Sequence, residues 1–134
     1  MSLNFIYRFQ LNLHQALLDS VKLKEQIKEI YLSTVQDGNY PFILINVIKV
    51  DDKSKANISI YGLEFEVCIF SRDKNKKKLL LISELVEEAL TPKNLGFGEY
   101  SIAGIKLNDL SFDEARDLVH NKLTMRYRGM LKKV

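Results

Sequence analysis

The sequence predicts an α+β fold in which an antiparallel sheet of about four strands carries two helices on one face, in the order α-β-β-α-β-β. Three observations predict it. Apolar residues recur at helical spacing in two segments, one near the N-terminus and one after residue 78. Long stretches rich in Ile and Val, or alternating apolar with polar, fill the intervals and are too β-branched to prefer helix. Polar or Gly/Pro-bearing connections separate those stretches in pairs, as hairpins require.

In residues 5–21, Ile6, Phe9, Leu13, Ala16, Leu17 and Val21 form one apolar stripe, with Arg8, Gln10, Asn12, Gln15 and Asp19 between them. This is an amphipathic helix. The following LKEQIKEI continues or restarts it, with Leu23, Ile27 and Ile30 on one side. DGNYP, residues 37–41, ends local order, because Asp-Gly favours a tight turn and Pro41 forbids helix across it.

PFILINVIKV, residues 41–50, reads as a strand opening at its proline, and DDKSKAN, residues 51–57, as a polar loop. ISIYGLEFEVCIF, residues 58–70, alternates: Leu63, Phe65, Val67 and Ile69 on one face, Glu64, Glu66, Cys68 and Phe70 on the other. Two such strands across a short loop predict an antiparallel hairpin. A second helix carries Leu79, Leu80, Ile82, Leu85, Val86, Ala89 and Leu90 and stops at Thr91-Pro92. LGFGEYS is a glycine-bearing turn. Two extended runs close the chain, residues 101–112 with Ile105, Leu107 and Leu110, and residues 118–131. There Val119, Leu123, Met125, Tyr127 and Leu131 nearly alternate with His120, Lys122, Thr124, Arg126 and Arg128. The Glu, Lys and Arg of the alternate face predict a sheet whose far side is wet or covered by another subunit.

The 134 residues read as one domain, residues 1–134, with 46% hydrophobic and 28% charged side chains and no linker or repeat. A net charge of +3, with acidic residues interspersed, gives weak support to nucleic-acid binding. No apolar run reaches the roughly 18–20 residues that span a bilayer, and MSLNFIYRFQ lacks a signal-peptide layout, so the expectation is a cytoplasmic protein without a membrane partner. Cys68 is the one cysteine, which excludes an internal disulfide and a CxxC site; in its apolar strand it reads as a small buried hydrophobe.

Sites for chemistry are missing. His14 and His120 have no metal-binding spacing, no serine sits in a GxSxG elbow, and GFGEYSIAG lacks GxGxxG spacing and precedes a strand. Glu84 and Glu88, four residues apart, read as the solvated edge of a helix. The expectation is a protein that is not an enzyme and needs no cofactor or metal.

FSRDKNKKK places Arg72, Lys74, Lys76, Lys77 and Lys78 in one short span. Its first reading is a wet strand-to-helix turn with Ser71 or Asp73 as N-cap and lysines on the first turns, mildly opposed to the helix dipole. Its second is a basic patch facing a partner or a lumen. Aromatic interleaving and RNP-like motifs are missing from the run.

The order of short patterns resembles the tail completion proteins of long-tailed phages and prophages, related in fold to lambda-type tail terminators. The resemblance rests on LNLHQALLDSVKLKEQI and then IYLSTVQDGNYPFILINVI, where a short Ile-Tyr strand leads to a strand opened by Pro-Phe. It continues through EVCIFSRDKN, LVEEAL, LGFGEYSIAGIKLND and HNKLTMRYRG, covering nearly the whole chain. KNKKK is more basic than that pattern. The resemblance implies a non-enzymatic protein, made in the host cytoplasm and built into the virion tail. It would form a ring, a hexamer, at the head-proximal end of the tail, touching itself, the tail tube protein and the head-tail connector. DNA passing through would meet only nonspecific contact.

Candidate interface or lumen residues are Arg72, Lys74, Lys76, Lys77 and Lys78, with Asp51, Asp52, Lys53, Arg126 and Arg128; the polar stretches 51–57 and 113–117 are candidates to face neighbouring rings. Two alternatives stand beside this reading: another connector or minor tail component, and a small nucleic-acid-binding module using residues 72–78.

Overall fold

The structure is a computed structural model that describes residues 4–33, 38–73, 75–114 and 121–133. Helix α1 (Asn4–Leu18) buries Phe9, Leu13, Ala16 and Leu17 of the predicted stripe; Phe5 joins them, Ile6 is half-buried, and Val21, past the helix end, is 70% exposed. Ser20 then caps a single turn, α2 (Val21–Lys24), its Oγ accepting the Leu23 N–H at 3.3 Å. Strands β1 (Glu29–Tyr31), β2 (Phe42–Asp52) and β3 (Ile60–Ser71) follow, then helix α3 (Lys77–Ala89), the turn α4 (Pro92–Leu95), and strands β4 (Tyr100–Glu114) and β5 (Asn121–Lys133).

The α+β class stands, but among the described residues the sheet has five strands, in the order β1-β2-β3-β5-β4. The extra strand comes from LKEQIKEI. Its helix ends at Lys24, and Glu29–Tyr31 pairs in parallel with Phe42, Ile43 and Leu44. Eight residues hold a helix poorly on their own. Joining the otherwise open side of β2 satisfies backbone groups and buries Ile30 to 7% exposure, while the His14 ring lies 3.2 Å from the Ile30 carbonyl oxygen.

Three boundaries also differ from expectation. Asp51 and Asp52 belong to β2, because the ladder continues through Asp51↔Gly62 and Asp52↔Tyr61 and leaves only residues 53–59 to turn. Neither Ser71 nor Asp73 caps α3. Strand β3 runs on through buried Ser71, whose Oγ accepts the Asp73 N–H at 3.1 Å, and the cap position falls to Lys76 without a side-chain bond. Asn75 supplies a nearby substitute, its Oδ1 accepting the Lys77 N–H at 2.9 Å. At the far end β4 reaches Glu114, so Asp113 is paired with Lys122 rather than looped out. Residues 115–117 of that stretch, and 118–120 of the expected last strand, lie outside the described residues.

The helices lie on one face of the sheet. Ile43, Ile45, Leu63, Phe65, Val67, Ile69, Leu123, Met125, Tyr127 and Leu131 point into that core, each such side chain contributing about 1.5–3 kcal/mol of burial. Phe65 is its centre, edge-on to Phe9 at 5.5 Å and stacked on Tyr127 at 5.1 Å. Register shifts at Val47/Lys49, Ile102/Gly104 and Leu107/Asp109 keep apolar residues inward where strict alternation fails; the last brings both Leu107 and Leu110 to the core side. Before β4 the chain reverses between Phe97 and Tyr100, with Gly98 at a φ of +53°. A Cβ there would also run into the Arg8 guanidinium, so glycine fits both the turn and its neighbour.

Candidate assembly surfaces

Among the described residues the sheet's other face carries no helix and is written in charge. The pairing aligns Glu66 with Arg126 and Asp109 across three strands, and Glu64 with Arg128 and Lys106 one step along. Arg126 Nη1 donates to Asp109 Oδ1 at 2.9 Å, a bond that holds the guanidinium pKa above its ordinary value. Arg128 Nε stands 3.3 Å from Glu64 Oε1. These pairs are exposed to water and stabilise little, so they fix the face's pattern more than its fold. Cys68 is buried between them and the aromatic end of the face, with Thr124 Oγ1 3.9 Å from its Sγ. Burial pushes its thiol pKa up, the direction of an inert cysteine.

The ten candidates from the sequence separate into several places. Asp51, Lys53 and Arg128 meet in a concavity of about 550 Å³ on the bare face, with Lys49, Lys106 and Glu64. Lys53 lies across Gly62, where a Cβ would sit 3.1 Å from its Cε. Asp52 accepts the Ser54 N–H at 2.9 Å, and hydrogen bonding from the Ser54 hydroxyl first and its N–H second lowers the Asp52 pKa. Arg126 belongs to the charge ladder. The basic run is divided: Arg72 lies 4.4 Å above the Tyr40 ring, Lys76 lies 5.2 Å above Phe112, and Lys78 Nζ donates to Gln26 Oε1 at 2.7 Å. Lys77 is exposed, and Lys74 is outside the described residues. The run is therefore not one patch.

Arg72 and Lys78 meet instead with Lys28, Asn39, Tyr40 and Asp73 around a second concavity of about 510 Å³, at the end of the sheet where β1 and β2 begin and β3 ends. Lys28 reaches this place because its N–H donates to the Pro41 carbonyl at 2.8 Å, closing the loop onto β2. Sequence spacing does not reveal the partnership, since the two basic segments are far apart in the chain.

A third surface was missed. Between α3 and β4 runs an open groove of about 460 Å³, lined by Leu80, Glu84, Glu87, Glu88, Leu107, Leu110 and Met125. Leu80 is 44% exposed and Leu110 42%. Glu87 accepts the Tyr127 hydroxyl at 2.5 Å, and Tyr127's pKa is raised by burial first and by that carboxylate second. The signal for this groove was Leu79, Leu80 and Leu81: three consecutive leucines on a helix cannot all face one core. Among the described residues there is no group of three or more His, Cys, Asp or Glu that could hold a metal ion, and no helix is long and apolar enough to cross a membrane.

Among the described residues, a sheet with helices on one face and charge on the other, edged by β1 and β4, defines a small α+β fold. Neither a protein-family model nor a curated protein matches the sequence. Solved structures do. The chain is similar to one in the virion of a native gene transfer agent particle, with a TM-score of 0.80 and 13% identity, over 92% of this chain and 93% of that one. It is also similar to the gp17 protein of bacteriophage SPP1, with a TM-score of 0.61 and 20% identity, over 90% of this chain and 86% of that one. At such identities the likeness establishes a shared fold, and that fold is one used by phage and virion proteins.

Proposed function

We propose that the chain is a structural protein of a phage or prophage particle, forming a hexameric ring at the head-proximal end of the tail. There it completes the tail and joins it to the head connector. The observation that carries this is the end-to-end match to a virion chain, over 92% of this chain and 93% of that one. The order of sequence patterns agrees with it. Its partners are further copies of itself, the tail tube protein and the connector. It assembles in the host cytoplasm and ends in the virion tail, and no step of the role calls for catalysis or a cofactor.

The nucleic-acid alternative is weakened because the described part of the run is split, Lys76 standing over Phe112 while Arg72 and Lys78 lie together with Lys28. The test is to delete the gene from a phage or prophage that carries it and image the induced particles. Filled heads and separate tails, rejoined when the gene is supplied in trans, are expected. Normal joined particles without the gene would overturn the reading.

A further inference from the structure

We propose that copies of this chain join head to tail, the acidic apolar groove between α3 and β4 of one copy taking the basic flank beside β1 of the next. This rests on the ring reading above and says which surfaces make the ring.

The argument starts from sheet order. β1 and β4 are the two terminal strands, so surfaces beside them lie at opposite edges of the molecule. Their charges are opposite. The α3–β4 groove is lined by Glu84, Glu87 and Glu88 and by no cation. The concavity beside β1 is lined by Lys24 and Lys28 against Glu29, and the one that continues it across the ends of β2 and β3 by Lys28, Arg72 and Lys78 against Asp73, an excess of positive charge. Each surface also offers apolar area: Leu80, Leu107 and Leu110 in the groove, Leu18 and Ile27 on the flank. Strand β4, which borders the groove, pairs among the described residues on one side only, with β5.

Complementary patches at opposite edges make a heterologous contact, the kind whose repetition closes a ring. A two-fold dimer through either surface sets like charge on like, which disfavours it. The occupant is therefore a second copy of this chain.

Two variants test this. Glu84→Lys with Glu88→Lys makes the groove basic, and Lys28→Glu with Arg72→Glu makes the flank acidic. All four residues are exposed, and Glu87 and Lys78, which hold Tyr127 and Gln26, are left alone. Circular dichroism confirms folding, and mass is measured by light scattering where the wild type forms rings, with tail tube protein if required. Each variant alone should assemble more than about tenfold more weakly. Mixed in equal amounts they should rebuild rings of alternating copies, since each reversed surface now suits the other.

Variants that assemble alone as the wild type does, or a mixture that fails to recover, would overturn the inference while leaving the ring reading intact. So would variants that form rings but no longer take the tail tube or connector protein, which would assign the groove to that partner. A wild type that never assembles counts against the ring reading and this inference together.

Discussion

Phe65 and Glu66 are neighbours in the same strand with opposite fates. Phe65 is fully buried between Phe9 and Tyr127, while Glu66 looks out toward Arg126 on a face with no helix above it. The covered face holds nearly all of the large buried core; the bare face holds a ladder of exposed ion pairs. Stability is thus concentrated on one side of the sheet, so the other side and the two edges are free to be specified by partners. A protein that works by assembly gains from this division, because changing a docking surface need not unfold the subunit.

The division is sharpest in mutation. Phe65→Ala should cost about 3–5 kcal/mol of unfolding free energy, read from the denaturant midpoint, because it empties the centre of the core. A smaller effect comes from Tyr127, where the two environments meet. Its raised pKa means that the folded state favours the neutral phenol. That contribution is complete below about pH 10 and is lost as pH rises further, at up to about 1.4 kcal/mol per pH unit. Tyr127→Phe should flatten this alkaline slope, leaving the part from Cys68, whose thiol is shifted in the same direction and begins to count from about pH 8.5. Smallest of all, Arg126→Ala removes the ion pair to Asp109 and should leave the midpoint unchanged within error; a large loss would mean that the bare face is part of the core after all.

Much of the covered face was legible in the sequence. The stripe of α1 and the alternation of Leu63, Phe65, Val67 and Ile69 state their burial directly, since period and solvent exposure are tied by geometry. Strand β1 was not legible from periodicity, because three residues carry no period; only the resemblance, with its short Ile-Tyr strand, pointed to it. Residue 110 breaks the alternation of β4 for a reason visible only once the bulge before Asp109 is seen. Surfaces fared worse. The run from Arg72 to Lys78 drew attention through clustering in sequence, whereas tertiary contacts disperse it and recombine Arg72 and Lys78 with Lys28. Glu84 and Glu88 were read as a wet edge, which their exposure supports, but the apolar residues that make that edge a groove come from β4, far along the chain.

The most direct test of the account is the mass of the wild-type chain in solution across concentration, by light scattering, with and without a candidate tail tube protein. Rings of the hexamer's mass, formed by the chain alone or on adding the tube protein, are the expected result. A monomer at every concentration that also ignores the tube protein would contradict it.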